Sequence, residues 1–217
     1  SLSSEEQTIA DLIIEHIDSH HKLPYLWTIQ EQFFVDKLTD KKRLLPYLIY
    51  RHKFKFLSEN KAVSDFPIHV LVEPTSECNL RCVMCFQTDR EFTGDANGKN
   101  SNKRYMGMMD FELFKQVVDE ANNEGAGALS IGSRGEPMLH TQFSEMLAYT
   151  IDKENLFDIK INSNGSALTE KISHQILQSS VSILVISMDA DNKDLYEEIR
   201  VGGNFDRTLR NVQRFVE

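Results

Sequence analysis

The stretch Ile68-His69-Val70-Leu71-Val72-Glu73-Pro74-Thr75-Ser76-Glu77-Cys78-Asn79-Leu80-Arg81-Cys82-Val83-Met84-Cys85 decides how this chain is read. Its first five residues are apolar and largely β-branched, and Pro67 and Pro74 bound them, which predicts a short buried strand. Three cysteines follow at once in the spacing Cys78-x-x-x-Cys82-x-x-Cys85, and they are the only three in the chain. An odd, clustered set with no distant partner excludes a disulfide framework and points to a reducing compartment and a metal site. Three thiolates on one loop can hold three corners of a 4Fe–4S cluster, leaving the fourth iron open to a ligand that is not protein. Zinc with His69 or an acid as fourth ligand is the alternative that the cysteines alone leave open.

Outward from this loop the pattern repeats. Ala128–Ile131, Phe157–Ile161 and Ile183–Met188 read as further strands, and their starts have the spacing of a βα repeat. Between and after them lie helical patterns. Asp110 reads as an N-cap ahead of Phe111, Phe114, Val117, Val118 and Ala121, with Gly125 as the stop. Phe143, Leu147 and Ile151 mark a second helix; Ile172, Ile176 and Leu177 a third; Leu209, Val212 and Val216 a fourth. The alternation predicts an α/β fold with a parallel sheet and right-handed crossovers. The cysteines then sit at the C-terminal mouth of the strands, where such folds place their sites. Gln87–Tyr105, rich in Asn, Lys and Gly, lengthens the first crossover and is expected to be a mobile loop. Four βα units do not close the usual eight-unit barrel, and the chain stops inside a helical pattern at Phe215-Val216-Glu217. The expectation is a partial (β/α) barrel cut from a longer natural protein.

Residues 1–62 read as an all-helical region ahead of a core spanning 63–217. Ser3 with Glu6, or Ser4 with Gln7, offers a capping box, and Ile9, Leu12, Ile13 and Ile17 form one apolar stripe. Trp27, Phe33, Phe34 and Leu38 mark a second segment after Pro24, and residues 43–57 a third; their aromatics read as core. Lys41-Lys42-Arg43, running on to Arg51, Lys53 and Lys55, reads as a solvated helix face. With 33 acids against 24 bases, a net charge of −9 argues against a broad nucleic-acid surface. No apolar run has the roughly 18 residues of a membrane span, and the acidic start at Ser1 is unlike a secretory leader.

The loop Glu73 to Cys85 resembles the cluster loop of the radical S-adenosylmethionine (SAM) superfamily. The likeness continues in order at each strand end: Gly135-Glu136-Pro137, Asn162-Ser163-Asn164-Gly165, Ser187-Met188-Asp189, then Ile199-Arg200-Val201-Gly202-Gly203. It covers about residues 66–217. Alone, Gly-Glu-Pro and Asn-Gly are turns, Ser187 a strand-end serine and Arg200 a surface arginine; their conjunction carries the signal. The resemblance implies a 4Fe–4S cluster on Cys78, Cys82 and Cys85, with SAM on the open iron. Glu136, in the turn begun by Gly135, would accept from the methionine amino group, and Arg200 would pair with the carboxylate. Ser187 would donate to the same moiety or the ribose, and backbone at Met84 would approach the adenine. The implied activity is reductive cleavage of SAM to a 5′-deoxyadenosyl radical, which takes hydrogen from a peptide or a sugar-like small molecule. A low-potential donor of flavodoxin or ferredoxin type and a cytoplasmic setting are implied too. The general style is that of members with a C-terminal SPASM extension. The competing class is a metal- or cluster-binding module without radical activity.

Overall fold

The computed structural model describes residues 2–18, 28–37, 41–93 and 105–217. Trp27, Leu38, the side chains of Ile17 and Phe33, and the centre of the 87–105 insertion lie outside the described residues. Helices α1 (Ser4–Asp18), α2 (Ile29–Lys37) and α3 (Leu44–Asn60) precede strand β1 (His69–Val72). Then come β2 (Arg81–Cys82), α4 (Arg90–Thr93), α5 (Phe111–Asn123), β3 (Gly127–Ile131), α6 (Phe143–Tyr149) and β4 (Leu156–Ser163). The chain continues through α7 (Glu170–Leu177), β5 (Val181–Ile186), α8 (Lys193–Ile199), β6 (Arg200–Val201) and α9 (Phe205–Val216). β1, β3, β4 and β5 form one sheet in that order, every pair parallel. The α/β fold expected from the repeat spacing is therefore present. Strand limits differ from the expected ones by a few residues, because ladder pairing and not composition sets where each ends.

One face of the sheet carries the main core. Val72, Leu129, Ile131, Ile159 and Ile161 meet Phe114 and Val118 of α5, Met146 and Leu147 of α6 and Ile176 of α7. Burying each such side chain contributes about 1.5–3 kcal/mol. Asp110 caps α5 as expected: its Oδ1 accepts from the Glu112 N–H at 2.9 Å and the Leu113 N–H at 3.2 Å. Asp110→Ala is expected to lower unfolding free energy by about 0.5–2 kcal/mol, measured as a lower urea midpoint at unchanged slope. At the other end of α5, Gly125 takes a positive φ of 72° and turns the chain into β3.

The N-terminal helices dock on the start of the sheet. Ser3 and Glu6 form the capping box of α1, with Glu6 N–H to Ser3 Oγ at 3.2 Å and Ser3 N–H to Glu6 Oε2 at 2.9 Å. Ala10 and Ile13 of α1 pack on Leu48 and Ile49 of α3. On the other side of α3, Tyr47 and Tyr50 pack on Ala128 and Phe157. A Cβ at Gly127 would lie 2.0 Å from the Tyr50 ring, so glycine is what lets α3 lie against β3.

The later part of the basic stretch is not a solvated face. Arg51, 11% exposed, pairs with the nearly buried Glu31 at 2.5 Å and with Asp158 of β4 at 3.4 Å. Lys53 pairs with Glu5 and Glu6, and Lys55 with Glu31. These cations are spent joining α1, α2 and β4 to α3, which their spacing along α3 could not reveal.

Candidate functional site

The loop leaving β1 is clamped before it reaches the first cysteine. The Glu73 carboxylate accepts backbone N–H groups of Ser133 at 3.2 Å and Arg134 at 2.9 Å from the loop after β3. Across from these, Met109 N–H donates to Pro74 O at 2.7 Å and Ser76 N–H to Gly107 O at 3.0 Å. Cys78, Cys82 and Cys85 are free thiols; Cys82 is buried and the other two half-buried. The segment between them folds back as β2, antiparallel to β6, in the register Arg81 with Val201 and Cys82 with Arg200. Val83 N–H extends this ladder to Ile199 O at 2.9 Å.

Each sulfur meets an N–H donor. Leu80 N–H and Asn164 Nδ2–H reach Cys78 Sγ at 3.5 and 3.6 Å, Arg200 Nη1–H reaches Cys82 Sγ at 3.6 Å, and Gln87 N–H reaches Cys85 Sγ at 3.5 Å. Burial pushes the Cys78 and Cys82 thiols upward, with the Leu80 N–H opposing at Cys78 and the Arg200 charge opposing at Cys82.

Gly135 and Glu136 follow β3. A Cβ on Gly135 would stand 1.9 Å from Thr75 O and 2.7 Å from Glu77 O, so this position is set by the close approach of two backbones. Glu136 N–H completes the crossing to Glu77 O at 2.8 Å. The Glu136 side chain is 1% exposed and holds the end of β4. Its Oε1 accepts from Ser163 Oγ at 2.9 Å and Met138 N–H at 3.3 Å, and its Oε2 from Asn164 N–H at 2.7 Å. Burial pushes this carboxyl upward, and those donors oppose the shift.

Ser187 is placed by its backbone N–H, which donates to Ser163 O at 2.8 Å just beyond β5. The Arg200 guanidinium is buried, with Nη2 on Asp189 at 2.6 Å and Nη1 on Cys82, while its Nε–H has no partner among the described residues. His69, in contrast, lies at the start of β1, the opposite end from the thiols, and its Nε2 meets Ser130 Oγ at 2.8 Å. It is not a fourth ligand to the cysteines. Among the described residues no three His, Cys, Asp or Glu side chains converge on a point as a single-ion shell.

Gln87 was not singled out from sequence, and Asn164 was noted only within the Asn162-Ser163-Asn164-Gly165 stretch, without a contact of its own. Gln87, 1% exposed, donates from Nε2 to Ser76 O at 2.8 Å and Arg134 O at 3.0 Å, tying the cysteine loop to the loop after β3. Asn164, read first as a turn residue, also reaches Asn79 Oδ1 at 3.0 Å besides Cys78. A polar residue just past a metal-ligand spacing was the only available hint for Gln87.

The profile of the Radical SAM superfamily matches residues 72–217, and the chain belongs to that superfamily, whose characterised relatives are enzymes. The tungsten-containing aldehyde ferredoxin oxidoreductase cofactor-modifying protein of Pyrococcus furiosus is 31% identical over 122 residues, 56% of this chain and 30% of that protein. The mycofactocin maturase MftC of Mycolicibacterium smegmatis is 26% identical over 149 residues, 69% of this chain and 34% of that protein. The chain thus spans about a third of the length of these curated relatives. Among solved structures, Streptococcus suis SuiB bound to its precursor peptide SuiA superposes with a TM-score of 0.56 at 18% identity, over 95% of this chain and 43% of that one. The likeness to SuiB is one of fold.

Proposed function

We propose that the protein cleaves SAM reductively, with a 4Fe–4S cluster on Cys78, Cys82 and Cys85 and SAM held beside it by Gly135, Glu136, Ser187 and Arg200. The observation that carries this reading is the meeting of three free thiols, a buried carboxylate and a buried guanidinium at the C-terminal end of one parallel sheet. The residues fit these groups. N–H donors directed at all three sulfurs suit thiolates that ligate iron. His69, the histidine a zinc site would draw on, is turned to Ser130 at the start of β1 and away from the thiols. When bound, the cluster and SAM supply one-electron cleavage to a 5′-deoxyadenosyl radical and hydrogen abstraction from substrate.

The remaining work belongs to the chain. A carboxylate has about four acceptor sites; Glu136 uses three on Ser163, Met138 and Asn164, leaving one for a cationic amino group. Among the described residues Arg200 Nε–H is a buried donor without an acceptor, and a carboxylate would supply one. Asp189 holds the guanidinium in place for it. Gly135 allows the loop that carries Glu136 to lie against the cysteine loop.

The substrate would be a peptide or a sugar-like molecule; SuiB, which shares the fold, was solved with a precursor peptide. A low-potential flavodoxin or ferredoxin would supply the electron. Free thiols suit the cytoplasm, and no helix among the described residues is long and apolar enough to cross a membrane. We take 1–62 as an N-terminal helical region, of which α1, α2 and α3 are described and α3 packs on β3 and β4, ahead of a core at 63–217.

Glu136→Ala and Arg200→Ala each remove a charge-assisted bond of about 1.5–3 kcal/mol, so SAM affinity is expected to fall about ten- to a hundredfold. Calorimetric titration of anaerobically reconstituted protein measures this. Wild-type affinity in both variants would remove these residues from the SAM site.

A further inference from the structure

Asn164 stands at the end of β4, 6% exposed, with its side-chain amide fixed on both sides. Oδ1 accepts from Ser166 N–H at 2.9 Å and from Ser166 Oγ at 2.6 Å. Nδ2 donates to Asn79 Oδ1 at 3.0 Å and to Cys78 Sγ at 3.6 Å. The flipped amide would set its oxygen against Asn79 Oδ1 and the sulfur, and its NH2 against the Ser166 N–H. One orientation satisfies the network, and it aims a donor at a thiol. The backbone is fixed as well, because Asn164 N–H donates to the buried Glu136 Oε2 at 2.7 Å.

We propose that Asn164 is a positioning residue for the cluster, raising its reduction potential through the Nδ2–H···Sγ bond to Cys78. The inference rests on the cluster reading above. Reduction adds negative charge that spreads onto the ligating sulfurs, so a donor fixed on one of them favours the reduced form. Arg200 also meets a cysteine sulfur, but its charge is tied to Asp189. Asn164 is neutral and can be exchanged for a residue of its own shape.

The test uses anaerobically reconstituted protein, with iron and sulfide assays and a redox titration followed by electron paramagnetic resonance. Asn164→Asp keeps the shape and the acceptor toward Ser166, and replaces the donor with a carboxylate. At a fixed poise its ratio of oxidised to reduced cluster is expected to rise about tenfold, which for a one-electron couple is a midpoint about 59 mV lower. Asn164→Ala removes the donor without adding charge and is expected to shift the ratio the same way by about threefold. It carries the test alone if the aspartate variant holds no cluster. Wild-type midpoints in variants with full iron and sulfide would overturn the proposal. Wild-type protein holding neither iron nor sulfide would instead overturn the cluster reading, so the two failures are distinct.

Discussion

Cys82→Ala is expected to abolish the brown 4Fe–4S absorbance of reconstituted protein and to leave less than about a tenth of the wild-type iron and sulfide. The chain has no fourth cysteine to take its place. Its neighbours cannot move toward the gap either. Cys82 is paired in a two-strand ladder with Arg200, and the next residue, Val83, donates to Ile199. The loss should come without unfolding, since the main sheet and its core involve none of these residues. Iron and sulfide analysis beside a thermal melt separates the two effects. Four irons per chain in the variant would mean that the ligands have been misassigned.

Gly135→Ala is expected to be nearly as damaging for a different reason. The added methyl would meet two carbonyl oxygens, Thr75 O at 1.9 Å and Glu77 O at 2.7 Å. A flexible side chain could swing aside, but backbone clamped by Glu73, Gln87 and Gly107 cannot. Overpacking of this kind costs about 1–3 kcal/mol or more. The displaced segment runs directly into Cys78, so cluster content should fall together with thermal stability. Gly107→Ala is the matched control. A Cβ there meets nothing within 4 Å, and its effect should stay within about 0.5 kcal/mol. Equal melting temperatures for the two variants would show that the loops separate more easily than their contacts indicate.

Much of this architecture was legible in the residues. The β-branched runs announced the parallel strands, Asp110 announced a cap, and the cysteine spacing with the strand-end motifs announced the superfamily, because each signal is local. What could not be read depends on partners distant in sequence. β2 and β6 are two residues each, too short to show a period, and their pairing alone brings Arg200 to Cys82. Gln87 and Glu73 look like ordinary surface residues until the loop after β3 is laid across them. Arg51, Lys53 and Lys55 read as solvated because the acids that neutralise them come from α1, α2 and β4. Gly135 was taken as part of a binding turn, and its tightest neighbours prove to be the protein's own carbonyls.

The pairing of β2 with β6 also sets an order of events during synthesis. Cys82 and its partner Arg200 are 118 residues apart. At about 5–20 residues per second, a ribosome takes roughly 6–24 s to make the chain between them. Throughout that interval the three thiols have been translated while the ladder that fixes them has not. On the proposed cluster reading, metal loading would be a late event, and a nascent chain that stalls before Arg200 would offer oxidants an unguarded loop.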